Sequence, residues 1–189
     1  MRAEDRPIQP ADAAVGVHLW VERSPVTAFD FAVEKVLNIE GVHDQGDAVG
    51  GDTWYGISRK AHQDIIPWPP SREQAITIYR TSYWDLVRGD EMPPPIALVV
   101  FDAAVQHGVR DAIRFLQEAL NYMAGARLTV DGDLGPLTLA AVRGALPSRV
   151  AAEILARRGI YYPTLPNWED NKLGWSRRLF TVHRAALTI

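Results

Sequence analysis

Apolar residues recur at helical spacing over most of the chain. The clearest case is a first helix with Phe29, Val33, Val36 and Leu37 on one face and Gly41 suited to end it. Ser24-Pro25 or Thr27 can open it, and Asp30 stands three residues after Thr27 in capping-box spacing. From Gly41 to Gly51 the pattern gives way to turn residues. Thr53-Trp54-Tyr55-Gly56-Ile57 then reads as a strand, so a small hairpin is expected here, with helices resuming at Ser58. Pro67-Trp68-Pro69-Pro70 breaks the chain, and Ser71-Arg72-Glu73-Gln74 repeats the capping-box spacing before a helix expected to reach Tyr83 or Trp84. After Met92-Pro93-Pro94-Pro95, the run from Ile96 to Gln106 is apolar nearly all round and reads as a buried helix. Further helices are expected over about 111–121, from Pro136, and over about 148–158 and 170–186. Residues 1–23, punctuated by Pro7 and Pro10, show no sustained period and read as an extension.

Composition narrows the class. The chain has 189 residues, 47% hydrophobic and 23% charged, the balance of an ordinary globular protein of one domain or a domain with a helical appendage. With no cysteine, disulfides, zinc-thiolate sites and thiol nucleophiles are excluded. A net charge of -3 argues against a nucleic-acid binder, and no apolar run reaches the roughly 18 residues of a membrane span. The opening Met1-Arg2-Ala3-Glu4-Asp5-Arg6-Pro7 lacks the apolar core of a signal peptide, so synthesis in the cytoplasm is expected.

One carboxylate is out of place in this pattern. Glu40 falls on the apolar face of the first helix, at the end where the macrodipole disfavours negative charge. Burial and dipole both favour the protonated form, which suits a general acid. The bland alternative is a frayed, solvated helix end.

Phe29-Asp30-Phe31-Ala32 leads to Glu40-Gly41, and Gly50-Gly51-Asp52-Thr53-Trp54-Tyr55-Gly56-Ile57-Ser58 comes after it. That order of motifs resembles glycoside hydrolase family 108, lysozyme-like muramidases with a helical peptidoglycan-binding region behind the catalytic part. Ile78-Tyr79-Arg80, Tyr83-Trp84-Asp85 and Phe101-Asp102-Ala103-Ala104-Val105 follow. Leu116-Gln117, Asp131-Gly132-Asp133-Leu134-Gly135-Pro136-Leu137-Thr138 and Gly174-Trp175-Ser176-Arg177-Arg178 complete the series from about residue 27 onward. The family's Glu-Gly-Gly-Tyr is Glu40-Gly41-Val42-His43 here, and its Asn before the Tyr-Gly-Ile segment is Trp54. The resemblance implies a mainly α, lysozyme-like fold with a small β-hairpin plus a helical peptidoglycan-binding region. The implied division is an extension over 1–23, a catalytic part over 24–108 and the binding region over 109–189.

The implied activity is cleavage of peptidoglycan glycan strands between N-acetylmuramic acid and N-acetylglucosamine, with Glu40 as the acid. Asp47, Asp52 or Thr53 would supply the second group, a carboxylate or a held water. His43 would contact substrate or else be a solvated loop histidine. Of Trp54, Tyr55, Tyr79, Tyr83 and Trp84, one or two are expected to form a sugar-stacking wall, because aromatic residues at helical spacing are usually core. Asp102 reads as a structural carboxylate, and Asp131-Gly132 as a turn rather than a calcium loop. The basic stretch 171–189 either faces the anionic wall or pairs with the acidic body. No metal or organic cofactor, no nucleic acid and no membrane insertion are implied, and a monomer is expected. The setting implied is an endolysin reaching the wall after release. The competing reading is a non-catalytic peptidoglycan-binding or secretion-accessory protein on the same fold, favoured by Val42 and His43 and opposed by Glu40 and Thr53.

Overall fold

A computed structural model describes residues 26–41, 43–44 and 52–189. The extension expected over 1–23 and the candidate Asp47 lie outside the described residues, as does the side chain of His43. The described residues are mainly α with a small antiparallel β element. Helix α1 spans Ala28–Glu40, and Thr27 caps it as the spacing predicts: its side chain accepts from the Asp30 amide while the Asp30 carboxylate accepts from Thr27 N–H at 2.9 Å. Phe29, Ala32, Val33, Val36 and Leu37 are buried, the i, i+3, i+4, i+7, i+8 stripe of an amphipathic helix. Gly41, at φ 76, ends the helix with its N–H on the Leu37 carbonyl at 3.0 Å.

The β element departs from the continuous strand expected over 53–57. Strands β1 (His43–Asp44), β2 (Thr53–Trp54) and β3 (Ile57–Ser58) pair antiparallel in that order. Trp54 faces Ile57 across a two-residue loop, Tyr55-Gly56, with both residues at positive φ (52 and 74). That pair matches the twist of a tight hairpin, so the chain reverses where simple alternation predicted extension. Helices do not resume at Ser58 either. Turns run from Arg59 to Pro70, and Asp52 holds them: its carboxylate accepts from Trp68 Nε1 at 2.8 Å and its carbonyl from Arg59 N–H.

Helix α2 (Arg72–Tyr79) starts at the Ser71 capping box and passes into a π-helical turn over Arg80–Trp84. The wider turn brings Tyr79 and Trp84, five residues apart, both into the core. Trp84 has no exposure, lies edge-on to Phe29 and Phe101 at 5.4 and 5.5 Å, and donates its indole N–H to Asp90. A sugar cannot reach it, which corrects its assignment to the stacking wall.

Helix α3 (Pro94–His107) is the axis of the molecule. Its residues from Ile96 to Ala104 are all buried, and α1, α4 (Val109–Ala124), α6 (Pro147–Tyr161) and α7 (Trp168–Ala186) pack around it. Full enclosure explains its lack of a polar face. Helix α5 (Pro136–Gly144) begins with proline at its first position as expected and packs on α4. The loop before it is tied to α4 by Gln117, whose amide donates to Asp131 Oδ1 at 2.8 Å and accepts from Gly132 N–H at 2.9 Å. Asp131-Gly132 is therefore a turn, with Gly132 at φ 82.

His107 closes α3 among Phe115, Tyr161 and Tyr162, with ring centroids 5.4–5.6 Å away and its buried Nε2 without a hydrogen-bond partner among the described residues. Burial first, and the nearby Arg158 cation second, push its pKa from 6.5 down to about 4. Below pH 6.5 the unfolded chain takes up a proton that the folded chain refuses. Stability is therefore expected to fall by about 2 kcal/mol between pH 6.5 and 4 and then level off for this group. Urea melts of wild type and His107→Phe across that window check it; the variant should lose this part of the slope.

Candidate active site

Glu40 ends the apolar stripe of α1, four residues after Val36 and three after Leu37. Its side chain keeps 23% exposure and opens on a cavity of about 380 Å³. It is not the isolated carboxylate that the pattern suggested. Arg178 of α7 donates from Nη1 to Glu40 Oε1 at 2.6 Å. The same guanidinium donates from Nε to Asp102 Oδ1 at 2.9 Å, in the middle of α3. On the other side of Asp102, Arg158 of α6 brings Nη1 to 2.8 Å from Oδ2, an ionic contact without hydrogen-bond alignment. Arg158 then donates from Nη2 to Gln106 Oε1 at 2.7 Å, an oxygen that also accepts from Tyr162 at 2.6 Å.

Asp102 thus stands between two buried guanidiniums, and Arg178 extends the array to Glu40 at the cavity. Burial by itself would raise the Asp102 carboxyl, but Arg178 and Arg158 outweigh it and hold it below the ordinary carboxylate range. Burial likewise works against the Arg178 cation, while Asp102 and Glu40 push its pKa well up. Asp102 is thus the structural carboxylate that its apolar surroundings suggested, and Arg178 pairs across to the body rather than facing solvent.

The hairpin forms another wall. Gly56 sits so close that a Cβ there would lie 2.6 Å from the Tyr79 hydroxyl and 2.9 Å from Glu40 Cγ. Tyr79 fixes the turn by donating its hydroxyl to the Tyr55 carbonyl at 2.8 Å. Burial, then the charge of Glu40, raises the pKa of both Tyr79 and Tyr83, so each stays a neutral hydroxyl.

Of the residues expected in the site, Glu40, Tyr79 and Tyr83 line this cavity together. Asp52, Thr53, Trp54 and Tyr55 do not line it; Asp52 is engaged with Trp68, and Tyr55 packs partly against the core. The cavity adds residues that sequence reasoning passed over: Ser58, His62, Gln106, Trp175 and Arg178. A signal for Arg178 existed, since Val182, Ala185 and Ala186 share its buried stripe at i+4, i+7 and i+8. A larger cavity of about 600 Å³ lies between α4 and α5, walled by Gln117, Leu128, Asp131 and Thr138 among others.

Residues 33–108 match the family model described as Glycosyl hydrolase 108, and residues 111–180 match that described as "Predicted Peptidoglycan domain". Over residues 33–108 the first part of the chain is similar to the glycosyl hydrolase 108 family. The order of the two matches is that of a family 108 glycoside hydrolase followed by a peptidoglycan-binding region, and the second match supports peptidoglycan as the partner. The solved structure of SagA from Brucella abortus is similar, with 27% identity and a TM-score of 0.74 over 85% of this chain and 94% of that one. The fold is accordingly lysozyme-like in its family 108 part, with the small hairpin and the helical region behind it. No curated protein matches the chain.

Two substitutions probe this arrangement. Asp102→Asn leaves two buried guanidiniums without their shared counter-charge, and thermal unfolding should show a loss of about 3–5 kcal/mol. Gly56→Ala places a side chain at φ 74 against Glu40 and Tyr79. It should cost about 1–3 kcal/mol in the same assay and displace the carboxylate, lowering glycan hydrolysis more than stability alone accounts for.

Proposed function

We propose that this chain is an N-acetylmuramidase that cleaves the glycosidic bond between N-acetylmuramic acid and N-acetylglucosamine in peptidoglycan. The observation that carries the proposal is Glu40, partly exposed at the head of an aromatic-walled cavity and clamped from behind by Arg178. Because Oε1 is engaged by the guanidinium, Oε2 is the oxygen that carries the transferable proton. It passes that proton to the glycosidic oxygen as the bond breaks and positive charge develops on the departing sugar ring. Fixing one carboxylate oxygen limits rotation of the other, which keeps the donor aimed. A water or carboxylate on the far face of the ring completes hydrolysis; Asp47 and Thr53 stay the candidates for it, with Asp52 held by Trp68. The enzyme acts as a monomer on the wall after release from the cytoplasm, in bacterial lysis.

A wall-binding protein without turnover is the rival reading. It draws on the same contact, since an arginine at 2.6 Å gives the carboxylate a structural role as its partner. Reducing-end release from purified Gram-negative peptidoglycan separates the two. Wild type should release reducing ends, and Glu40→Gln, which still accepts from Arg178, should lose about 10²–10⁴-fold in rate with wall binding intact. Wall binding by wild type without reducing ends would establish the rival, and an active Glu40→Gln would move the acid elsewhere.

A further inference from the structure

The cavity beside Glu40 is not built by the family 108 match alone. Glu40, Gly56 and Tyr83 come from residues 33–108, but Trp175 and Arg178 come from α7, inside the peptidoglycan-domain match. They stand three residues apart and so share one face of that helix. Arg178 reaches Glu40, while the half-buried Trp175 borders the cavity. The Trp175 indole is held by its neighbours: Tyr162 lies 5.0 Å away between ring centroids, and Trp168 lies 6.2 Å away. An indole that is braced by other rings and still borders a cavity presents a rigid apolar surface at little entropic cost.

Gln106 adds a polar complement. Arginine has no acceptor and here donates to Gln106 Oε1, as does the Tyr162 hydroxyl, which fixes the amide orientation. The Gln106 NH₂ group is left without a partner among the described residues, on the wall of the same cavity. A flat apolar ring face beside a free amide donor matches one ligand chemistry: a pyranose, with axial C–H groups on one face and an acetamido carbonyl on its rim.

We propose that α7 completes the glycosidase cleft. Trp175 is the platform for an N-acetylated pyranose next to the scissile bond, and Arg178 is the positioning residue of Glu40. This rests on the muramidase reading and deepens it, because the region assigned to wall binding then contributes to turnover.

The test uses the full chain and soluble oligomers of N-acetylglucosamine and N-acetylmuramic acid prepared from wall glycan. Trp175→Ala should raise KM about tenfold with kcat changed by less than about threefold, while Trp175→Phe stays within about threefold of wild type on both. Arg178→Lys should do the reverse, lowering kcat at least about tenfold at unchanged KM. Phe180→Ala, an exposed aromatic on the same helix away from the cavity, should match wild type. A wild-type KM in Trp175→Ala, or an equal rise in Phe180→Ala, overturns the platform. An unchanged kcat in Arg178→Lys overturns the positioning role.

Should wild type show no turnover, the muramidase reading fails separately, and intrinsic tryptophan fluorescence on titration with the same oligomers decides the platform. Quenching that is lost in Trp175→Ala upholds it; quenching unchanged in that variant overturns it.

Discussion

Asp102 bears its charge at a position with no solvent exposure, halfway along a helix whose neighbours are almost all aliphatic or aromatic. Unpaired, such a carboxylate would cost several kcal/mol, and two guanidiniums arriving from α6 and α7 remove that cost. The requirement is stringent because each arginine is itself buried and needs Asp102 in return. It fixes where α6 and α7 lie against α3 more sharply than hydrophobic packing would, since apolar faces tolerate sliding and ion pairs do not. Arg178 then has one hydrogen-bonding edge left for Glu40, so the orientation of the Glu40 carboxylate follows from the way the core is neutralised.

Around that array the polar and aromatic walls are set by backbone geometry. The positive φ values at Tyr55 and Gly56 turn the hairpin back toward α1, and the missing side chain of Gly56 lets its backbone approach Glu40. The π-helical turn sends Trp84 inward while Tyr83, its neighbour, remains at the cavity. The two family matches meet between residues 108 and 111, at the α3–α4 junction, yet the charged array crosses that line twice, at Arg158 and Arg178. In physical terms the two matches share one core.

Much of this architecture was legible in the sequence, because it rests on local chemistry. Thr27 with Asp30 and Ser71 with Gln74 announced helix starts, and the unbroken apolar run after Pro95 announced the central helix. Glu40 stood out because a carboxylate on an apolar stripe needs a reason. What periodicity cannot give is the partner. Glu40, Asp102, Arg158 and Arg178 each interrupt the buried stripe of a different helix, two of each sign, and that balance was a readable clue to their meeting. The tight turn at Tyr55-Gly56 was hidden because a tyrosine at positive φ is rare, and alternation there imitates a strand. Trp175 was hidden for another reason: its place beside Glu40 exists only after α7 has docked.

Glu40 and Arg178 are separated by 138 residues. A ribosome delivers the chain from its amino end, so α1, which bears Glu40, and the hairpin beside it emerge long before the guanidinium that pairs with that carboxylate. Throughout that interval Glu40 is without its Arg178 partner and the cavity without its α7 wall. The contact between Glu40 and Arg178 is therefore made late, only once α7 has been synthesised, and a message truncated before the Arg178 codon yields a chain in which Glu40 lacks that partner.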